Sequence, residues 1–228
     1  MIAVIRFPGS NCDLDAVHAL GDIVDIPVEL VWHESFDPSR YGGVVLPWGF
    51  SYGDHLRAGV IAAFSPAMDG IRKMAERGKP VIGICNGFQI LTESGLLPGA
   101  LLRNEGILFS CKWVNLRIES NKSLFSKSMR KGSFLRVPIA HGEGRYFIEE
   151  ERCSELEKNG QVIFRYVDDL GVPTDDSNPN GSVHNIAGVC NEAGNVLGMM
   201  PHPERASEAI LGGEGGRKLL EVFKDFKA

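Results

Sequence analysis

Gly83-Ile84-Cys85-Asn86-Gly87 places a thiol between two glycines, where an apolar run stops and a helical pattern starts. G-x-C-x-G at a strand-to-helix junction is the cysteine form of the nucleophile elbow. So sharp a turn needs residues without a Cβ on either side, and it lifts the sulfur above the sheet edge. The new helix N-terminus carries positive partial charge, which favours the thiolate. The N–H of Asn86 has no partner within the helix and is free to donate to a developing oxyanion. The plainer reading is a buried, inert cysteine in a turn.

A thiol nucleophile needs a base, and the base needs an orienting group. Pro201-His202-Pro203-Glu204 follows the apolar run Val196 to Met200. In extended chain, residues two apart point the same way, which sets Glu204 beside the His202 ring to fix its tautomer. The flanking prolines restrict the backbone. On its own this segment reads equally well as a surface turn; the elbow cysteine tips the balance. A third piece, Leu46-Pro47-Trp48-Gly49-Phe50-Ser51-Tyr52-Gly53-Asp54, ends another apolar run. In a parallel sheet it falls next to the elbow, where the N–H of Gly49 would be a second oxyanion donor.

The elements that must position these residues alternate in the first half of the chain. Ile2 to Phe7, Val28 to Trp32, Gly43 to Leu46 and Val81 to Ile84 read as buried strands. Leu14 to Leu20, Leu56 to Arg77 (broken near Ser65-Pro66) and Asn86 to Ser94 read as helices. That rhythm predicts a mostly parallel sheet with helices on both faces, its sites at the carboxyl ends of strands. The second half predicts strands at Lys112 to Ile118, Phe134 to Ile139, Val162 to Tyr166, Asn185 to Val189 and Val196 to Met199. Some of these are expected to be antiparallel additions to the same sheet. Helices are expected at Ile148 to Lys158 and Gly216 to Phe226, and a surface loop at Thr174 to Gly181.

A length of 228 residues fits one α/β domain, residues 1–228, large enough to bury a core unaided. The net charge of −5 speaks against a general nucleic-acid binder. Five scattered cysteines without CxxC spacing speak against a zinc ribbon and a disulfide framework, and a reduced, cytoplasmic chain is expected. The N-terminus lacks a signal-peptide pattern, and no apolar stretch approaches the ~20 residues that span a bilayer. His18, His33 and His184 have no companions at ligand spacing, so no metal site is expected. Cys12 stands in a loop after the first strand but lacks the elbow. His141, in a glycine-flanked loop with Glu143 and Arg145, faces either the mouth of the site or a partner. Arg57 and His55 are either partner contacts or a solvated helix face.

Together these motifs resemble the class I (triad) glutamine amidotransferases, whose fold is a flavodoxin-like three-layer α/β sandwich. The match extends through Arg6 to Asp13, Gly49 to Asp54, Cys85 to Gln89, His141 to Tyr146, Gly188 and Pro201 to Arg205, which look like the branch serving purine biosynthesis. The resemblance implies that Cys85 attacks the side-chain amide of glutamine, with His202 as base and then acid and Glu204 orienting it. It implies the N–H groups of Gly49 and Asn86 as oxyanion donors and Gln89 as a glutamine-pocket residue, against a packing role in the first helical turn. It further implies that ammonia passes to a large synthetase subunit, which uses ATP to activate formylglycinamide ribonucleotide. A small accessory subunit is also implied, and the free glutaminase is expected to be nearly idle until docked. No P-loop or G-x-G-x-x-G fingerprint occurs here, so ATP and magnesium belong on the partner and this chain needs no cofactor. The rivals are another glutaminase or cysteine hydrolase of the same fold, and an inactive scaffold. One departure stands out: the family's Pro-Gly-Gly-Phe is Pro-Trp-Gly-Phe here. If position 48 requires positive φ, Trp48 strains the loop by about 1–3 kcal/mol.

Overall fold

The computed structural model describes residues 1–226. Its first half is built from β1 (Ile2–Arg6), α1 (Asp13–His18), β2 (Val28–Trp32), β3 (Gly43–Leu46), α2 (Pro66–Glu76), β4 (Val81–Ile84) and α3 (Asn86–Glu93). The second half adds β5 (Ala100–Leu102), β6 (Ser110–Ile118), β7 (Phe134–His141), β8 (Arg145–Phe147), α4 (Glu150–Lys158), β9 (Val162–Val167), β10 (Ile186–Cys190), β11 (Val196–Met199) and α5 (Arg217–Leu220).

One nine-stranded sheet carries the order β2-β1-β3-β4-β11-β10-β9-β6-β7. The first five strands are parallel, and the order 2-1-3-4 followed by β11 is the flavodoxin-like arrangement. β1, β3 and β4 are apolar throughout or nearly so and are buried on both faces, as parallel strands under helices must be. The crossover from β1 to β2 runs opposite to that from β3 to β4, so right-handed connections place α1 and α2 on opposite faces. From β11 onward each neighbour is antiparallel. β9 and β7 therefore point the same way as the parallel group, and the expected sheet with antiparallel additions is what forms.

Several expected helices are shorter. Only Pro66–Glu76 of the Leu56 to Arg77 stretch is α-helical: Ser65 caps it, accepting from the Ala67 N–H, and Pro66 occupies the first turn. The Gly216 to Phe226 helix is α only over Arg217–Leu220 and tightens to 3-10 geometry over Glu221–Asp225, yet it still buries Leu219, Leu220 and Phe223. α1 ends in a wide turn at Ala19–Ile23. The small β5–β8 sheet went unforeseen because three-residue strands carry almost no periodicity.

The edge strand β7 contains Pro138, which an edge tolerates because that side needs no donor. Although β7 lies at the far end of the strand order from β4, the Ala140 carbonyl accepts from the Cys85 thiol and the Pro138 carbonyl from the His202 N–H. The antiparallel half thus curls back over the carboxyl ends of β4 and β11.

Candidate active site

Cys85 follows β4 directly and sits at φ 51°, ψ −102°, before α3 begins at Asn86. A non-glycine residue there is strained by about 1–3 kcal/mol, as at other nucleophile elbows. The glycines are needed for close approach: a Cβ on Gly87 would lie 2.0 Å from the Leu46 carbonyl oxygen, and one on Gly83 would lie 2.5 Å from the Gly87 oxygen. β11 pairs with β4 in the register Met199 to Ile84, and the Met199 carbonyl accepts the Cys85 N–H at 2.8 Å. The segment carrying His202 therefore leaves the sheet at the same edge as the elbow.

His202 Nδ1 and Glu204 Oε1 are 2.7 Å apart, with both side chains buried. The contact predicted from an extended segment exists for a different reason. Pro203 has helical dihedrals and Glu204 opens a 3-10 turn, so the carboxylate curls back to the ring. His202 Nε2 is buried and has no hydrogen-bond partner among the described residues. With Nδ1–H donated to Glu204, Nε2 is left as the basic atom. The Cys85 thiol meanwhile bonds to the Ala140 carbonyl at 3.8 Å.

Burial pushes the Cys85 thiol well above its ordinary range, and the Glu204 carboxylate adds to this, while the Asn86 N–H pulls it down. The expected thiolate bias of the helix end is thus outweighed by desolvation. The resting Cys85 is a neutral thiol, which would have to give up its proton to act as a nucleophile.

The loop after β3 crosses the loop after β1. Trp48 O accepts from the N–H groups of Asn11 and Cys12, and Gly9 O from Phe50 N–H. A Cβ on Gly49 would lie 2.6 Å from Ser10 Cα. The glycine is thus required by the chain's own β1 loop. The Gly49 N–H has no backbone acceptor among the described residues. Trp48 is absent from the positive-φ residues, so the feared strain does not arise. Its indole lies edge to face with the His202 ring at 5.4 Å, and the Arg205 guanidinium lies 5.0 Å from its ring centre.

Asn86 and Gln89 are tied together. Asn86 Nδ2 donates to Gln89 Oε1 at 2.8 Å, Asn86 Oδ1 accepts from Ser51 N–H, and Gln89 Nε2 donates to the Glu143 carbonyl at 2.6 Å. The Gln89 amide therefore joins the elbow helix to the loop after β7.

His141 faces neither solvent nor a partner surface: it is buried, with Nδ1 3.1 Å from Asn104 Oδ1. Asn104 Oδ1 also accepts from Gly144 N–H, so it is the histidine that donates here. Burial, with His202 nearby, pulls the His141 pKa down to about 3. Asn180, which donates to the Gly144 carbonyl at 2.8 Å, is buried too, so the polar stretch 174–181 is only partly a surface loop. Sequence reading also missed Asp54, whose Oδ1 is buried without a partner among the described residues. Burial and Glu143 push its carboxyl up to about 6, and its charge is felt at Cys85. A carboxylate closing a glycine-rich loop beside the nucleophile was the available signal.

Of the histidines set aside as ligands, His33 bonds to Ser65 and Tyr52. His18 pairs with Asp22 and Glu208, and Arg57 with Glu93. His184 does acquire companions in the fold, Cys153 and Glu157. All five cysteines are free. No helix among the described residues is long and apolar enough to cross a membrane.

Residues 1–213 match the family described as the CobB/CobQ-like glutamine amidotransferase domain. The phosphoribosylformylglycinamidine synthase subunit PurQ of Methanosarcina acetivorans is 54% identical over 225 residues, covering 99% of this chain and 97% of the relative. That of Thermomicrobium roseum is 56% identical over 218 residues, covering 96% and 92%. A chain in the solved structure of PurLQS from Thermotoga maritima superposes with a TM-score of 0.86 at 46% identity, covering 98% of this chain and 97% of that one. The glutaminase domain of Trypanosoma brucei CTPS, at 13% identity and a TM-score of 0.59, shares the fold.

Proposed function

The chain belongs to the CobB/CobQ-like glutamine amidotransferase family, and from that premise we propose that it is the glutaminase subunit of phosphoribosylformylglycinamidine synthase, a single domain over residues 1–228. The observation that carries this reading is the buried His202–Glu204 pair, its Nε2 free, at the sheet edge where the strained elbow presents Cys85. PurQ relatives over nearly the whole chain supply the synthase.

Cys85 Sγ attacks the amide carbon of glutamine while His202 Nε2 takes the thiol proton. The imidazolium that forms is held by Glu204. The N–H groups of Asn86 and Gly49 receive the oxyanion; one such donor is worth about 3 kcal/mol. His202 returns the proton to the leaving nitrogen, ammonia departs, and a γ-glutamyl thioester remains. Water, deprotonated by the same imidazole, then releases glutamate. Asp54, beside Glu143, is the acceptor for the α-ammonium of glutamine. Gln89 holds the pocket wall through the Glu143 carbonyl.

Ammonia is consumed on a large synthetase subunit, which with ATP and magnesium converts formylglycinamide ribonucleotide to formylglycinamidine ribonucleotide in purine synthesis. A small accessory subunit completes the assembly. Free cysteines, four of the five buried, suit the reducing cytoplasm. The resting thiol bonds to the Ala140 carbonyl, which fits a glutaminase that waits for its partner.

The test is reconstitution with the synthetase. Cys85→Ser should abolish glutamine-dependent synthesis and leave ammonia-dependent synthesis intact. Glutamine-dependent product from Cys85→Ser protein refutes the assignment.

A further inference from the structure

Behind the catalytic pair lies a second cluster. The Cys12 sulfur, from the loop after β1, a ring nitrogen of His202 and a carboxylate oxygen of Glu204 lie within 4.8 Å of one another. The three residues are 0%, 0% and 2% exposed. Glu204 Oε2 is buried and lacks a partner among the described residues. An unsatisfied carboxylate oxygen at such depth is costly, and a cation relieves the cost. Thiolate, imidazole and carboxylate are ligand types that zinc takes, and three protein ligands leave its fourth position open.

A way in exists. A cavity of about 560 Å³ has Glu204 in its wall together with Asp15, His18, Arg205 and Glu208. Arg205, the one guanidinium there, is bonded to Asp15 at 3.1 Å, and His18 to Glu208 at 2.9 Å. Those pairings reduce the repulsion that an entering cation would meet.

We propose that Cys12, His202 and Glu204 bind zinc, and that zinc held there switches the glutaminase off by taking the His202 ring out of proton transfer. Coordination forms a sulfur–zinc bond and sends the Cys12 proton to solvent. Zinc takes Nδ1, the nitrogen beside Glu204, and the proton held there moves to Nε2; the imidazole stays neutral with its basic atom protonated, and no electron is transferred. Inhibition rests on the reading of His202 as base; binding does not. The other cluster of this kind, Cys153, Glu157 and His184, is the weaker candidate, since Glu157 is already bound by Arg165 and His184.

Cobalt(II) titrated into the purified chain reads the site without any assay of activity. Sulfur-to-cobalt charge-transfer absorption is expected in the wild type, Cys85→Ser and Cys153→Ser, and its loss in Cys12→Ser and Cys12→Ala. Absorption that is absent throughout, or that follows Cys85 or Cys153 instead, overturns the site. Zinc-edge X-ray absorption of Cys85→Ser protein, which needs no Cys12 variant, should show one sulfur neighbour; none overturns the site. With the synthetase present, zinc chloride should inhibit glutaminase turnover, and both Cys12 variants should need at least roughly tenfold more zinc. Zinc bound through Cys12 without inhibition overturns the switch. A complex inactive without zinc would sink the glutaminase reading alone, because the cobalt spectrum is independent of it.

Discussion

The Trp48 indole stands edge to face against the His202 imidazole, with 5.4 Å between ring centres and 85° between planes. On its other contacts the same indole meets the Arg205 guanidinium and the Phe50 ring. Aromatic pairs in this geometry contribute about 0.5–1.5 kcal/mol beyond area burial. Trp48 is therefore a wall that holds the His202 ring in place. Trp48→Gly should lower glutaminase kcat/KM by roughly tenfold, about 1.4 kcal/mol, and shift the pH profile assigned to the base. Trp48→Phe should recover most of the loss. Steady-state kinetics in the partner complex decide it; higher activity in Trp48→Gly would show that the indole obstructs the site.

In the proposed mechanism the carboxylate orients and the imidazole reacts, so their losses should differ. His202→Ala should remove essentially all thioester formation. Glu204→Ala should leave a measurable rate, slower by roughly 10²–10⁴. Labelling of Cys85 by a glutamine-mimicking electrophile, timed by mass spectrometry, separates the two. Equal and complete losses would give Glu204 a chemical role of its own.

Asp54 links stability to pH, and through the proposed ammonium contact it would link binding to pH as well. Its carboxyl is raised from 3.8 to about 6, so the unfolded chain loses this proton first and the folded state is destabilised as pH rises from 3.8 to 6. Above pH 6, Asp54→Asn should be more stable than the wild type, and the gap should close toward pH 4. If Asp54 receives the α-ammonium, wild-type KM for glutamine should fall as pH rises through 6. The variant should show a higher, flatter KM. Melting curves and KM against pH give both readouts.

His141 acts in the opposite direction. Its folded pKa of about 3 lies below the ordinary 6.5, so the unfolded state takes up the proton first. Its contribution is intact above pH 6.5 and is lost progressively as pH falls toward 3. Denaturant titrations between pH 7 and 4 should show the wild type losing stability more steeply than His141→Asn. Parallel slopes would mean that the ring is accessible to protons in the folded chain.

Cys85, Asn86, His202 and Glu204 were legible as candidates because the signal is packed into short runs: glycines around the thiol, prolines around the imidazole. Periodicity gave the parallel half of the sheet, since buried strands and capped helices write themselves locally. The Leu56 to Ser65 stretch misled, because its apolar spacing copies a helix that only Ser65 and Pro66 allow to start.

The sequence by itself marked the candidate nucleophile, its candidate base and the strands of the parallel half, because each depends on neighbours within a few residues; the order of those strands came from the fold. Only the tertiary structure decided what surrounds them. β7 curls back so that Ala140 and Pro138 reach Cys85 and His202, and Trp48 stands against the base without strain. Cys12 likewise meets Glu204 across nearly the whole length of the chain. Such contacts follow from the twist and curl of a sheet whose far edge returns to its centre, and no spacing along the chain records that.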